Sequence, residues 1–330
     1  MQTPAGAARQ PAERPSLTVL YYTHPSAHRH DNGPGHPEGP QRLVAIERLL
    51  AERKPAFIDY REAVPATMEQ IERVHPPPYA ERIIAAEPTS GYTQLDMDTA
   101  MSPGTVEAAL RGAGAACAAV DALLAGEAKR AFIAMRPPGH HAEPDQAMGF
   151  CIFDTIAIGA MQARHAHGLG RIAIFDFDVH HGNGTQAAFW DDAETVFLST
   201  HQMPLYPGTG AQGESGSFGN IVNTPCRPGT GSAEWRQLVS RRVLPRIDAA
   251  RPKLLMISAG FDAHRADPLA QMNLTEEDFA WATGEIVRLA NRHAEGRVIS
   301  VLEGGYDPPA LARSVFAHLE ALAADQDTIS

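Results

Sequence analysis

Six short runs of apolar and β-branched residues recur along the chain and predict buried β-strands. They are SLTVLYY (16–22), RAFIAM (130–135), RIAIFDFDV (171–179), TVFLST (195–200), KLLMISAG (253–260) and RVISVLEGG (297–305). Nearly continuous apolar runs are typical of strands covered on both faces of a parallel sheet. Helical periodicity fills longer stretches between several of them, most clearly at 105–126 and 275–296. This alternation predicts an α/β protein with crossover helices.

Local signals mark where some elements begin. Ser102 followed by Pro103 suits an N-cap with proline at the first helical position, and Thr67 with Gln70 has capping-box spacing. Residues 1–15, rich in Pro, Ala and Arg, are interpreted as a flexible tail. The remainder, 16–330, is predicted to form one domain, because α/β chains of this size often fold around a single core.

Composition and charge narrow the class of protein. The chain has 330 residues, of which 44% are hydrophobic and 20% charged, as in ordinary globular proteins. It has 28 Lys and Arg residues and 39 Asp and Glu residues, so its net charge is negative, and it has no long basic run. Nucleic acid is therefore not expected as a partner. The acidic surface suits cationic peptides or polyamines, but it also suits solubility alone.

Cysteine usage and apolar run lengths indicate the compartment. The cysteines are odd in number and lack CxxC spacing; they are Cys117, Cys151 and Cys226. Neither a disulfide framework nor a thiolate zinc site is therefore expected. No apolar run approaches the ~18 residues that a membrane span requires, and the N-terminal segment lacks the apolar region of a signal peptide. We therefore predict a cytoplasmic protein that is not membrane-bound.

Polar residues gather where four of the predicted strands end. The segments are MRPPGHH (135–141), IFDFDVHH (174–181), SAGFDAH (258–264) and LEGGY (302–306). Ligands of open parallel sheets bind beyond the carboxyl ends of the strands, so these segments are expected to converge on one pocket. Asp176, Asp178 and His180 alternate with apolar residues, and strand pleating would direct all three to one face.

A metal site is one interpretation of this convergence. A carboxylate from Asp262, added to Asp178 and His180, would give three protein ligands with room for water, as in catalytic zinc sites. Capping and salt-bridging also place acids at strand ends, so the spacing by itself leaves a structural role open.

Four motifs in this order, RPPGHH, DFDVHHGNGTQ, SAGFDAHRADPL and LEGGY, resemble the zinc-dependent histone deacetylase superfamily. The resemblance covers about residues 16 to 320 and is to class II-like members of bacterial type. It implies the arginase/deacetylase fold, a single α/β domain with a central eight-stranded parallel sheet flanked by helices. It also implies that 16–330 is a catalytic domain and that Asp178, His180 and Asp262 hold one catalytic Zn²⁺.

The same resemblance implies catalytic roles. His140 and His141 match the family's tandem histidines, and Tyr306 matches its transition-state hydroxyl. His141 is predicted to be the general base and then the general acid, while His140 positions water. Asp176 would accept a hydrogen bond from His140, and Asn183 would support His141. One branch of the family has aspartate at the position of Asn183, and asparagine there resembles class II.

Substrate-binding positions follow from the resemblance too. Gly149 and Phe150 match the wall of an acyl-lysine tunnel, with Tyr206 as the facing aromatic. An apolar tunnel suits the methylenes of a lysine stem. Asp98 is matched to a rim carboxylate that holds the substrate backbone, with Asp96 as the alternative.

A structural potassium ion and an internal arginine are implied as well. Asp176, Asp178, His180 and Ser199 match the potassium site, although Ser199 could simply end a strand. Arg42 matches an arginine that lines an acetate-release channel in relatives, and solvation at a helix start is the alternative.

Histidines outside these motifs are less informative. His24, His28, His30 and His36 share one loop and could suggest a second metal, but the loop is rich in Gly and Pro and offers no fixed carboxylate partner. The remaining helical histidines are interpreted as surface or hydrogen-bonded residues: His165, His167, His293 and His318.

Three functions agree with these residues. They are a deacylase of lysine side chains in proteins or peptides, an acetylpolyamine amidohydrolase, and a non-catalytic acyl-lysine binding module. Tyr306 argues against the module, and Leu269, where polyamine-selective relatives can place a glutamate, disfavours small acetylated amines. A binuclear manganese ureohydrolase needs further bridging acids, where DFDVHHGNG has valine and asparagine. The sequence does not predict an oligomeric state.

Overall fold

Eight strands form one parallel sheet in the computed structural model, which describes residues 17–324. The strands are, in chain order, β1 (Val19–Thr23), β2 (Ile58–Glu62), β3 (Thr93–Gln94), β4 (Ala100–Met101), β5 (Arg130–Ile133), β6 (Ile172–Asp176), β7 (Thr195–Gln202), β8 (Ile221–Cys226), β9 (Leu254–Ala259) and β10 (Val298–Leu302). The main sheet has the order β2-β1-β5-β10-β9-β6-β7-β8, while β3 and β4 form a separate antiparallel pair. The predicted α/β fold with an eight-stranded parallel sheet is confirmed.

Helices cover the sheet. Within the described residues they are α1 (Gln41–Arg53), α2 (Met68–Glu72), α3 (Pro77–Ala85), α4 (Thr105–Leu124), α5 (Thr155–His167), α6 (Asn183–Ala188), α7 (Ser232–Leu238), α8 (Leu244–Ala250), α9 (Glu276–His293) and α10 (Pro308–Ala323). A 3₁₀ turn at Pro25–His28 precedes α1, and a π turn at Val239–Val243 joins α7 to α8. No helix in the part of the chain between 17 and 324 is long and apolar enough to cross a membrane.

The six predicted strands correspond to β1, β5, β6, β7, β9 and β10, and the sheet contains two more at its edges. The edge strand β2 reads IDYRE and is partly exposed throughout, so it has no apolar run. The other edge strand, β8, reads IVNTPC and contains Pro225, which an edge strand tolerates. The tail predicted at 1–15 lies outside the described residues, and the assignment of 16–330 to one catalytic domain stays a prediction.

The start of α4 differs from the prediction. The hydroxyl of Ser102 donates to the carbonyl of Arg29 at 3.1 Å, and the helix begins at Thr105. A carboxylate oxygen of Glu87 accepts the N–H groups of Gly104 at 3.1 Å and Val106 at 2.7 Å, so a distant acid caps this helix. The capping box of Thr67 and Gln70 at the start of α2 is confirmed.

The sheet brings four sequence segments to one edge. Strands β5, β10, β9 and β6 are consecutive neighbours, and their register pairs Ile133 with Val301, Leu302 with Ala259, and Asp176 with Ser258. Both faces of these strands are fully buried, which anchors their ends firmly. The polar segments that follow them therefore start side by side.

Candidate active site

Asp178, His180 and Asp262 form a buried cluster beyond the central strands. The Nδ1 atom of His180 lies 3.1 Å from Oδ1 of Asp178 and 3.1 Å from Oδ2 of Asp262. One ligand atom from each residue lies within 4.8 Å of the others, and no second such His/Cys/Asp/Glu cluster occurs in residues 17–324. The pleating prediction was wrong in one respect. Strand β6 ends at Asp176, so Asp178 and His180 come together in the bend that follows it.

Backbone groups and glycines hold this cluster tightly. The N–H of Val179 donates to Asp262 at 2.8 Å, and the N–H of Gly304 donates to Asp178 at 2.8 Å. A Cβ atom at Gly260 would lie 1.9 Å from Oδ2 of Asp178, and one at Gly304 would lie 2.2 Å from Oδ2 of Asp262. The glycines of SAGFD and LEGGY are therefore needed for the carboxylates to approach one another.

The donor set fits a divalent cation. Burial disfavours the charged imidazole of His180, but hydrogen bonds to Asp178 and Asp262 outweigh it and raise its pKa to about 10. The buried carboxylates thus favour a positive charge at this point. One imidazole nitrogen and two carboxylates are ligands that Zn²⁺ takes in catalytic sites, where a further position stays open for water or substrate.

The tandem histidines have different partners. Nδ1 of His140 lies 2.9 Å from Oδ2 of Asp176, whereas Nδ1 of His141 lies 2.8 Å from Oδ1 of Asn183. Burial disfavours a charged His140, but the carboxylates of Asp176 and Asp178 outweigh it and hold its pKa well above the usual value. Burial and the charge of His140 hold the pKa of His141 well below the usual value. The pair thus combines a charged ring with a neutral one.

A cavity of about 250 Å³ leads to this cluster. Every predicted substrate-binding residue lines it, together with two predicted catalytic residues, one predicted metal ligand and one further leucine. The lining residues are Asp98, His141, Gly149, Phe150, His180, Leu205, Tyr206, Leu269 and Tyr306. The one wall residue that sequence reasoning missed is Leu205, whose position directly before Tyr206 in the chain was the available signal. Gly149 has φ 57°, and a Cβ there would lie 2.5 Å from Cδ2 of His141.

Of the two candidates for the rim carboxylate, Asp98 lines the cavity and Asp96 does not. Oδ1 of Asp98 accepts the N–H of Gly149 at 3.1 Å and the hydroxyl of Thr99 at 2.8 Å, which fixes the acid beside the tunnel wall. Asp96 accepts the N–H of Met97 and does not line the cavity.

The predicted potassium residues are placed close together, but their oxygens already have partners. Oδ1 of Asp176 accepts the N–H of Asp178 at 3.1 Å, and the hydroxyl of Ser199 lies 2.9 Å from Nδ1 of His201. Ser199 pairs with Asp176 across the sheet. Potassium binding therefore stays a prediction.

A buried arginine supports Tyr306 from behind. The guanidinium carbon of Arg42 lies 5.1 Å from the centre of the Tyr306 ring, and Nε of Arg42 donates to the carbonyl of Gly305 at 2.7 Å. Nη1 donates to Glu38 at 3.0 Å, and both side chains are buried. Arg42 is thus an internal residue, and solvation at a helix start does not describe its environment. Sequence reasoning missed Glu38, because a single acid in a Gly/Pro loop carries no pattern.

The loop histidines serve separate contacts. His30 is buried 3.3 Å from a carboxylate oxygen of Glu38, so it has the fixed acidic partner that the sequence did not suggest. His28 pairs with Glu47 at 2.8 Å, and His36 packs against the ring of Phe150. Within the described part of the chain these histidines form no metal cluster.

A model of the histone deacetylase domain matches residues 36–322. The chain belongs to the histone deacetylase family. Among family members, a histone deacetylase-like amidohydrolase of Pseudomonas aeruginosa is 43% identical over 277 residues, which are 82% of this chain and 73% of the relative. The chloroplastic histone deacetylase 14 of Arabidopsis thaliana is 36% identical over 319 residues, covering 91% of this chain and 75% of the relative.

Solved structures of the family agree in fold. The crystal structure of the HDA15 HD domain superposes with a TM-score of 0.88 at 31% identity, covering 95% of this chain and 90% of that domain. Membership of a family of deacetylases and amidohydrolases makes this histone deacetylase family member a hydrolase, and Asn183 is consistent with a class II-like member. Its cytoplasmic location stays a prediction, since the Arabidopsis relative is described as chloroplastic.

Proposed function

We propose that the protein is a zinc-dependent amidohydrolase that removes acyl groups, chiefly acetyl, from lysine side chains of proteins or peptides. The observation that carries this proposal is the buried cluster of Asp178, His180 and Asp262 at a cavity that Tyr306 and His141 also line. Zinc held by these three residues would polarise the acyl carbonyl and lower the pKa of a water molecule, which makes a nucleophile available near neutral pH.

His141 is the proposed general base. The amide nitrogen of Asn183 donates to Glu143 at 2.8 Å, which turns its amide oxygen toward His141 and selects the imidazole with a proton on Nδ1. Its Nε2 is then free of a proton and can take one from the attacking water. The same atom can afterwards give that proton to the leaving amine. A charged His140, held by Asp176, supplies positive potential beside the water.

Tyr306 is the proposed oxyanion donor. Burial raises the pKa of its phenol well above the usual value, so the hydroxyl keeps its proton. A hydrogen bond from this hydroxyl strengthens as negative charge grows on the acyl oxygen, which stabilises the transition state more than the substrate.

The tunnel supports a lysine substrate. Phe150, Tyr206 and Leu269 provide apolar wall along the cavity, and the ring of Tyr206 meets that of His141 edge to face at 5.2 Å. The methylenes of a lysine side chain would be removed from water along these surfaces. We propose that Asp98, beside Gly149, accepts N–H groups of the substrate backbone.

An acetylpolyamine is the second candidate substrate. Besides burial, the charges of Asp98, Asp96 and Glu143 raise the pKa of Tyr206, which indicates negative potential at the entrance. Such potential attracts the further ammonium of a polyamine. Leu269 contributes no charge there, so acyl-lysine peptides remain the preferred class.

The test compares both classes of substrate with one preparation of the protein. Fluorogenic acyl-lysine peptides and acetylated polyamines are assayed side by side, with zinc content measured by mass spectrometry. We expect peptide hydrolysis that chelation abolishes and zinc restores. Persistent hydrolysis by metal-free protein would contradict the zinc mechanism, and much faster turnover of acetylated putrescine or spermidine would favour the second candidate.

A further inference from the structure

One carboxylate joins two separate parts of the tunnel wall. Oδ1 of Asp267 accepts the N–H of Leu269 at 2.9 Å, and Oδ2 accepts the N–H of Tyr306 at 2.7 Å. Asp267 is 8% exposed and does not line the cavity, whereas Leu269 and Tyr306 both do. The side chain therefore lies behind the wall, and its hydrogen bonds to Leu269 and Tyr306 are both to backbone N–H groups.

The bond to Tyr306 completes the support of its segment. Upstream, the N–H of Gly304 is held by Asp178 and the carbonyl of Gly305 by Arg42. Gly305 has φ 124°, a conformation that glycine adopts readily, and the carbonyl that Arg42 holds belongs to the same peptide unit as the N–H of Tyr306. The bond from Tyr306 to Asp267 holds the second polar group of this peptide, so side chains fix both its carbonyl and its N–H.

The bond to Leu269 fixes a second part of the wall. The N–H of Asp267 donates to the carbonyl of His264 at 2.9 Å, which ties the acid to the segment that follows the metal ligand Asp262. From there its side chain bonds forward to the second residue along the chain, as Asp does in tight turns. Leu269 is thereby held in place at the tunnel.

We propose that Asp267 is a positioning residue that fixes Tyr306 and Leu269 relative to each other, so that one carboxylate sets both the oxyanion donor and the adjoining tunnel wall. This rests on the proposed function for its consequences in catalysis. A carboxylate suits the task because it offers two acceptor oxygens to two N–H donors. Asparagine has the same shape but one acceptor, and its NH₂ group would face the other N–H.

The matched variants are Asp267→Asn and Asp307→Asn. Asp307 directly follows Tyr306, but its carboxylate caps α10 by accepting the N–H of Ala310 at 2.9 Å, a task that asparagine performs equally well. We expect D267N to keep its zinc and to lose about tenfold or more in kcat, since misplacement of a catalytic group is costly. D307N should retain wild-type kcat. Asp267→Glu, which keeps both acceptor oxygens, should recover part of the loss.

A double-mutant cycle separates positioning from general destabilisation. In the Tyr306→Phe background the hydroxyl is already absent, so D267N should lower kcat by less than about threefold. D267N should also change KM, because it releases the wall at Leu269. This change in KM should persist in the Tyr306→Phe background and be smaller in a Leu269→Ala background. The proposal would be overturned if D267N lowered kcat equally in the wild-type and Tyr306→Phe backgrounds, if D267N lost its zinc, or if D307N lowered kcat as much as D267N.

A measurement without turnover keeps the two proposals distinguishable. With 3-fluorotyrosine placed at position 306, the ¹⁹F resonance should shift or broaden in D267N and remain as in wild type in D307N. An unchanged resonance in D267N would contradict the positioning role even if activity fell. If the wild-type protein hydrolyses no acyl-lysine substrate, the proposed function fails, and the ¹⁹F comparison still decides whether Asp267 positions Tyr306.

Discussion

Nδ1 of His141 lies 2.8 Å from the amide oxygen of Asn183, so the proposed base is supported by a neutral group. Its neighbour His140 is supported by the carboxylate of Asp176 instead. A carboxylate favours the charged imidazole much more strongly than an amide does. The two histidines are adjacent in sequence, yet their partners divide them into a charged ring and a ring that can accept a proton.

Replacing Asn183 by Asp should raise the pKa of His141. Because Asn183 also donates to Glu143, the variant needs Glu143→Gln as a companion, so that two carboxylates do not face each other. We expect the acid limb of kcat/KM in N183D/E143Q to move up by about one pH unit, since the base must be neutral. The measurement is a pH profile, with E143Q alone as the control. An unmoved limb would mean that His141 does not titrate as the base.

Tyr306→Phe removes only the hydroxyl. We expect kcat to fall about a hundredfold or more, the usual scale for one oxyanion donor, while zinc content stays at the wild-type level. Tyr79→Phe is a matched control, because the hydroxyl of Tyr79 donates to the carbonyl of Ile152 at 2.6 Å away from the cavity. Near-normal turnover by Y306F would show that another group stabilises the oxyanion.

Leu269→Glu tests the choice of substrate. The new carboxylate would face the tunnel and could pair with the second ammonium of a polyamine, whereas an acetyl-lysine side chain presents methylenes there. We expect kcat/KM for acetylpolyamines to rise relative to peptides by about 1–3 kcal/mol, roughly five- to a hundredfold. Leu269→Gln, similar in shape but uncharged, is the control. Equal ratios in the two variants would indicate that charge at this position does not govern selectivity.

Acid should destabilise the fold through buried histidines. Burial lowers the pKa of His318 to about 3, from the usual 6.5 of a histidine. Between these values the unfolded chain binds a proton that the folded protein excludes, so stability falls as pH falls, by about 2 kcal/mol at pH 5. His318 is held between the hydroxyls of Thr283 and Ser300, at 2.6 and 2.8 Å.

Urea unfolding at pH 8 and pH 5 measures this effect. His318→Gln should be less stable than wild type at pH 8 but lose about 2 kcal/mol less between the two pH values. The exposed His165, changed to Gln, is the control and should leave the pH dependence unchanged. If H318Q loses stability as steeply as wild type, other groups carry the acid sensitivity.

Buried strands were predictable because burial on both faces of the sheet requires a run of apolar residues in the sequence. The run around Phe175 is apolar since both faces of β6 are covered, and the same holds for β9 and β10. Edge strands such as β2 contact protein on fewer sides, so polar residues are tolerated and the pattern disappears. The end of β6 was misplaced because Phe177 and Val179 remain buried after the strand has ended.

The predicted metal ligands were found from motifs, whereas the contacts of Asp267 and Glu38 with residues distant in sequence were not. We recognised Asp178, His180 and Asp262 because they lie in motifs whose order along the chain resembles that of a known family. Asp267 stands in the same motif as Asp262, but its contact with Tyr306 joins residues distant in sequence, as does the contact of Glu38 with the guanidinium of Arg136, and no local spacing encodes either contact. Their roles emerge only when the backbone N–H groups and guanidinium groups are traced to their acceptors.

The place of β10 in the sheet has a consequence for biosynthesis. This last strand of the sheet in chain order lies between β5 and β9, so it joins a half made of β2, β1 and β5 to a half made of β9, β6, β7 and β8. The tandem histidines follow β5 and the predicted metal ligands follow β6 and β9, one group in each half. We therefore expect a nascent chain on the ribosome to bring them together only after β10 has been synthesised and inserted. Catalytic competence is therefore delayed until β10 has been synthesised.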